Sequence, residues 1–230
     1  RCMVKRLILC TFLLLPATLW AQADTLAPAP TDSLPTRYVE VGLSAAAYKG
    51  DLSAYARWTP LAHVALHFQR RKRLNGSLQL MVGQVAGQGL NARFQEGTAT
   101  DGRTPNRDFR TALFAFNYTL HLNLIARERF RLFVAQGAGL LRYAPQDRDG
   151  NRLADRATTL APGESYGVVA LHFPSSVGLL YFLPNRWALG LSAGWLNPAT
   201  DYLDNVGTYG TRDGGDQVAA YRFSVRVPLR

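Results

Sequence analysis

The chain has 230 residues, with 26 Lys and Arg against 16 Asp and Glu, a formal net charge of +10, and only two cysteines. Both, Cys2 and Cys10, fall within the first ten residues. Everything after them lacks a thiol, which excludes disulfide frameworks, CxxC redox motifs and cysteine-based metal sites there.

The N-terminal stretch predicts an export signal. Met3 is a plausible start, Lys5 and Arg6 form a positive segment, and Leu7 to Leu15 form an apolar one. Ala21-Gln22-Ala23 then supplies small residues for cleavage, so 1–23 are expected to be a signal peptide. The apolar run is shorter than the roughly 20 residues of a spanning helix. Export also removes nucleic acid as the partner of the basic charge. Residues 24–36, with Pro28, Pro30 and Pro35, are expected to be a Pro-rich periplasmic leader, and 37–230 a single β-domain.

From Tyr38 onward the chain alternates with period 2, the strand signature, because successive side chains point to opposite faces. Val39, Val41, Leu43, Ala45 and Ala47 form the apolar face of a first strand; Ala62, Val64, Leu66 and Phe68 that of a second; Leu78, Leu80 and Val82 that of a third. Ala112, Phe114, Phe116, Tyr118, Leu120 and Leu122 mark a fourth. The fifth lies around 130–142 and the sixth around 166–182, with less regular alternation. Trp187, Leu189, Leu191, Ala193 and Trp195 define a seventh, and Ala219, Tyr221, Phe223, Val225, Val227 and Leu229 an eighth.

The opposite phase carries Gly, Ala, Ser, Thr, Asn, Gln and His, including Gly42, Ser44, Ser77, Gln79, Asn117, Thr119, Gly190 and Ser192. Those side chains suit a narrow, filled lumen rather than open water. The apolar phase holds no charge, as a lipid-facing surface requires, since Arg or Lys at mid-bilayer costs roughly 2–4 kcal/mol. Trp58, Tyr181, Trp187, Trp195 and Tyr221 fall near strand ends, where an aromatic girdle belongs. The connections support the same reading: 49–57, 87–107, 144–165 and 197–216 are each longer than the intervening 71–75, 123–129 and 183–186. The fold class expected is all-β: an eight-stranded antiparallel transmembrane β-barrel in the outer membrane of a Gram-negative cell, contacting outer-membrane lipids, with both termini in the periplasm.

Few residues suggest chemistry. His63, His67, His121 and His172 share the lumen phase but lie on non-neighbouring strands, so they are read as lumen filling rather than metal ligands. The acidic connections Asp147 to Asp155 and Asp201 to Asp216 lack the full oxygen set of a calcium loop and are read as solvated loops closed by Asx turns. No Ser-His-acid pattern stands out; neither enzyme activity nor a cofactor is expected. Glu40 and Arg226 lie on the lumen phase of the first and last strands, which closure makes neighbours, so Glu40 is expected to pair with Arg226 or Arg222. Arg70, Arg71, Lys72 and Arg73 occupy the first short turn, Arg127 and Arg129 the second, with Arg131 flanking it, and Arg186 the third. This basic rim is a candidate docking surface for a periplasmic partner.

Two segments carry a family resemblance: Tyr48-Lys49-Gly50-Asp51-Leu52-Ser53 after the first strand and Thr200-Asp201-Tyr202-Leu203-Asp204-Asn205-Val206 after the seventh. With Asn106-Arg107-Asp108-Phe109-Arg110 and Pro184-Asn185-Arg186-Trp187, they resemble the PorG-type outer-membrane barrels of type IX secretion and gliding machinery. Asn205 stands where that family commonly has a second acid, and the chain ends Val227-Pro228-Leu229-Arg230 without a terminal aromatic. The resemblance implies a non-enzymatic anchor that contacts a periplasmic lipoprotein or another secretion-complex subunit. The alternative is a stand-alone barrel whose long extracellular loops bind a ligand or surface polymer.

Overall fold

The computed structural model describes residues 35–69, 73–89, 92, 94, 104–211 and 215–229. The expected signal peptide and nearly all of the leader lie outside the described residues, as do Arg70, Arg71 and Lys72. Nine strand segments follow in order: β1 Arg37–Lys49, β2 Ala54–Phe68, β3 Leu74–Gln88, β4 Asp108–Ala126, β5 Phe130–Gln146, β6 Val169–His172, β7 Ser175–Phe182, β8 Ala188–Trp195 and β9 Gln217–Pro228. All pair antiparallel: β1 to β5 each with the next, β5 with both β6 and β7, β7 with β8 and β8 with β9, and β1 pairs with β9 to close the sheet.

The nine segments make eight staves. β6 and β7 are successive pieces of one stave, since both pair with β5. Pro174 lies in the gap and has no N–H to give the ladder; its carbonyl accepts from Gly137 N at 2.8 Å. Beside the gap, Asn197 adopts a positive φ and its Nδ2 donates to the Phe173 carbonyl at 3.0 Å. The sixth strand expected over 166–182 is therefore interrupted rather than continuous.

The phase of the strands matches their apolar alternation. Leu43 is 65% exposed on the outer wall and Leu191 55%, while their strand neighbours Ser44 and Gly190 turn inward. Ala47 is an exception: it sits on the apolar phase yet is fully buried. Its cross-strand partner Trp58 stacks on Tyr221 at 5.3 Å, so two rings from the flanking strands β2 and β9 bridge β1 at that height.

Inside, the lumen has two layers. Toward the short turns it is polar, with Glu40, His63, His67, Ser77, Gln79, Asn117, Thr119 and Arg226 all buried. Toward the long connections it is apolar: Ala46, Tyr48, Leu61, Met81, Val85, Phe109, Leu113 and Leu141 pack into one cluster with Leu203 and Val206 from the last long connection. A uniformly small-polar lumen, as the alternation suggested, is thus corrected. An eight-stave barrel is just wide enough for its own side chains, and here bulky apolar ones close one half.

Candidate functional site

Three places hold chemistry: the rim of short turns, the polar layer of the lumen, and the rim of long connections.

At the short-turn rim, Arg73, Arg127, Arg129 and Arg186 are exposed and share one end of the barrel with the ends of β1 and β9. Turn geometry holds them there. Arg127 N donates to the Phe130 carbonyl at 2.9 Å, and Asn185 Oδ1 accepts from Trp187 N at 3.2 Å, closing a tight turn with Arg186 at φ 66°. Arg131 differs from the rest, being buried at the lumen mouth. It donates from Nη1 to Gln69 Oε1 at 2.8 Å and lies over the Phe182 ring at 4.8 Å.

In the polar layer, Glu40 is 3% exposed and Arg226 5%, and they are direct register partners across the β1–β9 seam. Arg226 Nε donates to Glu40 Oε2 at 2.5 Å. His63 Nε2 lies 3.0 Å from Glu40 Oε1, and His67 Nε2 3.1 Å from Oε2. A buried carboxylate so surrounded is compensated in charge and in lone pairs, which is the condition for tolerating an ion away from water. The expectation that the histidines stay apart needs correction. His67 and His121, on β2 and β4, bring their rings to 5.2 Å because a narrow lumen lets strands two apart touch. His172 remains separate. Among the described residues no group of three His, Cys, Asp or Glu converges as metal ligands.

Ser77 Oγ and His121 Nε2 are 2.9 Å apart, a pairing the sequence reading did not single out. It does not extend to a triad, because the nearby carboxylate is bonded to His63 and Arg226 rather than to His121. Ser77 is also 2% exposed, facing inward.

At the opposite rim the segments quoted for the family resemblance meet. Tyr48 Oη lies 2.6 Å from Asp204 Oδ2 and 2.5 Å from Asp216 Oδ1. Asp204 further accepts from Leu52 N at 3.2 Å and Val206 N at 2.9 Å; Asp216 Oδ2 accepts from Leu203 N at 2.7 Å. Asn106 Nδ2 donates to the Asp204 carbonyl at 2.8 Å, and Thr111 Oγ1 to the Leu203 carbonyl. Asn205, at φ 65°, donates from Nδ2 to Asn106 Oδ1 and Thr159 Oγ1, each at 3.0 Å, and accepts from Tyr166 Oη at 2.6 Å. A carboxylate could not make those two donations, which is a physical reason for Asn at that position.

Asp204 and Asp216 are 0% and 2% exposed, and among the described residues no Arg or Lys pairs with either. Burial raises the Asp204 carboxyl to about 7, against the hydrogen bonds that lower it. Burial and then the Asp204 charge push Asp216 well above the carboxylate range. Asp201, raised to about 6 by burial and by Asp51, lies half-buried beside them. Tyr202 stacks on Tyr166 at 4.4 Å and donates to Glu164 Oε1 at 3.0 Å. The other acidic connection is held by Asp147, whose Oδ1 accepts from Asp149 N and Asn151 N at 2.9 Å each, and which pairs with Arg156 at 2.5 Å. Asp213 lies outside the described residues. Sequence reading named the Asp204 segment but missed Tyr48 as its counterpart; the only signal was that both sit in the same set of resembling motifs.

With this geometry in view, comparison with solved structures is informative about the fold. Neisserial surface protein A is similar at 11% identity, over 84% of this chain and 97% of that one, with a TM-score of 0.51. The architecture is that of a small outer-membrane barrel. Ail of Yersinia pestis, solved with the heparin analogue sucrose octasulfate, is similar at 9% identity over 83% of this chain and 95% of its own, TM-score 0.47. The outer membrane enzyme PagL is similar at 14% identity over 84% and 99%, TM-score 0.37. No protein-family model and no curated protein matches the chain.

Proposed function

We propose that this barrel is a non-enzymatic scaffold in the outer membrane of a Gram-negative cell, part of a type IX-like secretion complex. Its short turns and both termini face the periplasm, where the basic rim docks a lipoprotein or another subunit of the complex. The observation that carries the reading is the closed lumen. Among the described residues an apolar plug and a packed polar layer fill the lumen, so the working surfaces are the two rims. The outer wall, with Leu43, Val82, Phe114, Leu140 and Leu191 exposed, supports embedding in lipid. Arg73, Arg127, Arg129 and Arg186 present like charge at one rim, the arrangement that speeds encounter with an acidic partner. The secretion role itself rests on the quoted motif resemblance.

The test is capture of periplasmic lipoproteins from detergent-solubilised native envelopes by the tagged full chain. The triple replacement R127E/R129E/R186E should weaken capture at least tenfold and flatten its decline with added salt, at unchanged barrel abundance. Replacing Asp149 on the other rim should leave capture intact. Full capture by the triple variant would overturn the docking reading, and loss of a ligand on changing the long connections would favour a surface-binding barrel.

A further inference from the structure

The polar layer of the lumen has a charge that its own residues do not balance. Glu40 is committed to Arg226 and to the two histidines. Arg222, four residues before Arg226 on β9, also faces the lumen, and there its one hydrogen-bond partner among the described residues is the neutral amide oxygen of Gln79, 3.3 Å from Nη1. Its buried Nε has no hydrogen-bond partner among the described residues. The cross-strand partners of Arg222 are Ser44 on β1 and Ser192 on β8. Ser44 Oγ is likewise buried and without a partner among the described residues.

Unsatisfied buried donors are rare and need an explanation. These two sit side by side on one face of the sheet, and Arg222 and Ser192 both line a cavity of about 40 Å³ inside the barrel. Water would satisfy the donors but not the charge. Among the described residues, one carboxylate against the guanidinium groups of Arg222 and Arg226 leaves a surplus of one positive charge around this cavity, and protonating His63, His67 or His121 only enlarges it. The Asp204–Asp216 pair cannot serve, because Asp216 precedes Arg222 by six residues, about 20 Å along an extended strand. A cavity of this size has room for a few water-sized occupants.

We propose that this cavity is a binding site for a small monovalent anion of chloride size, held by Arg222 and the Ser192 hydroxyl that line it. The ion completes the charge balance of the polar layer and acts as an internal strut between β8 and β9. The site is independent of what either rim binds.

The purified, folded full chain in detergent can be compared in chloride, bromide and gluconate salts at equal ionic strength. Gluconate is too large for the cavity. Chloride and bromide should each raise the unfolding midpoint over gluconate by about 3 °C, the shift expected for a ligand at roughly ten times its dissociation constant in a domain of this size. Crystals soaked in bromide should show anomalous density beside Arg222. Arg222→Gln should abolish both signals. Should that variant fail to fold, Ser192→Asp provides the second test. It places a fixed carboxylate beside Arg222 and should yield a folded barrel whose midpoint no longer distinguishes halide from gluconate. Wild-type protein with no halide-specific shift and no bromide density would overturn the proposal, as would a halide response that persists in Ser192→Asp.

Discussion

Replacing Asp216 by Asn tests whether a shared proton latches the rim of long connections. Tyr48 has one phenolic proton, yet its oxygen lies within 2.6 Å of a carboxylate oxygen from Asp204 and one from Asp216. It can donate to only one of them, so the other contact needs a proton on the carboxyl group. Asp204 has its folded-state pKa raised to about 7 from 3.8. Between those values the folded protein binds more protons than the unfolded chain, so the stabilisation is complete below about pH 4 and is lost as pH rises through 7. About three units correspond to an upper bound of about 4 kcal/mol, or a tenfold change in local opening per pH unit across that window. The side-chain amide introduced by Asp216→Asn can accept from Leu203 N through its oxygen and donate to the Tyr48 oxygen through its nitrogen, imitating the protonated acid. Hydrogen exchange at Leu52, Leu203 and Val206, corrected for intrinsic rates, reads the opening directly. Wild-type protection should fall with pH from 5 to 8, while Asp216→Asn should hold it nearly constant. A flat wild-type profile, or a variant as steep as wild type, would refute the shared proton.

Three further outcomes are expected. Glu40→Gln strips the charge partner from buried Arg226 and should destabilise the barrel by about 3–5 kcal/mol in urea unfolding; a change below about 1 kcal/mol would mean that Arg226 finds compensation elsewhere. Leu191→Lys on the outer wall should cost roughly 2–4 kcal/mol in phospholipid vesicles, and an unchanged folding equilibrium there would contradict a lipid-facing wall. Gly42→Ala would drive a Cβ into the His63 ring and to 2.5 Å from the Phe223 carbonyl oxygen; overpacking of that kind costs about 1–3 kcal/mol, measurable as a lower unfolding midpoint, and an unshifted midpoint would show that β1 and β9 separate easily there.

How much of this was readable beforehand follows from the range of each interaction. Alternation is a local property of the backbone, so Val41 and Leu43 against Gly42 and Ser44 was enough to assign both faces of β1. Closure adds one constraint, that first and last strands are neighbours, and from it the proximity of Glu40 and Arg226 could be argued without coordinates. The interruption at Pro174 had a local cause too, but telling a gap from a distorted strand required the partners on both sides, Gly137 and Asn197. Other features had no periodic signal at all. His67 and His121 meet across the lumen, a distance set by barrel radius rather than strand order. The apolar plug depends on which inward residues fall at the same height, which strand stagger decides. Tyr48, Asp204 and Asp216 are joined because two irregular connections fold over the same rim, and irregular backbone is specified by its tertiary partners rather than by its own repeat. The sequence by itself therefore determined the wall of this protein, and the tertiary structure alone decided what closes its interior and what latches its rim, because side-chain direction along a strand is local while convergence across a lumen is not.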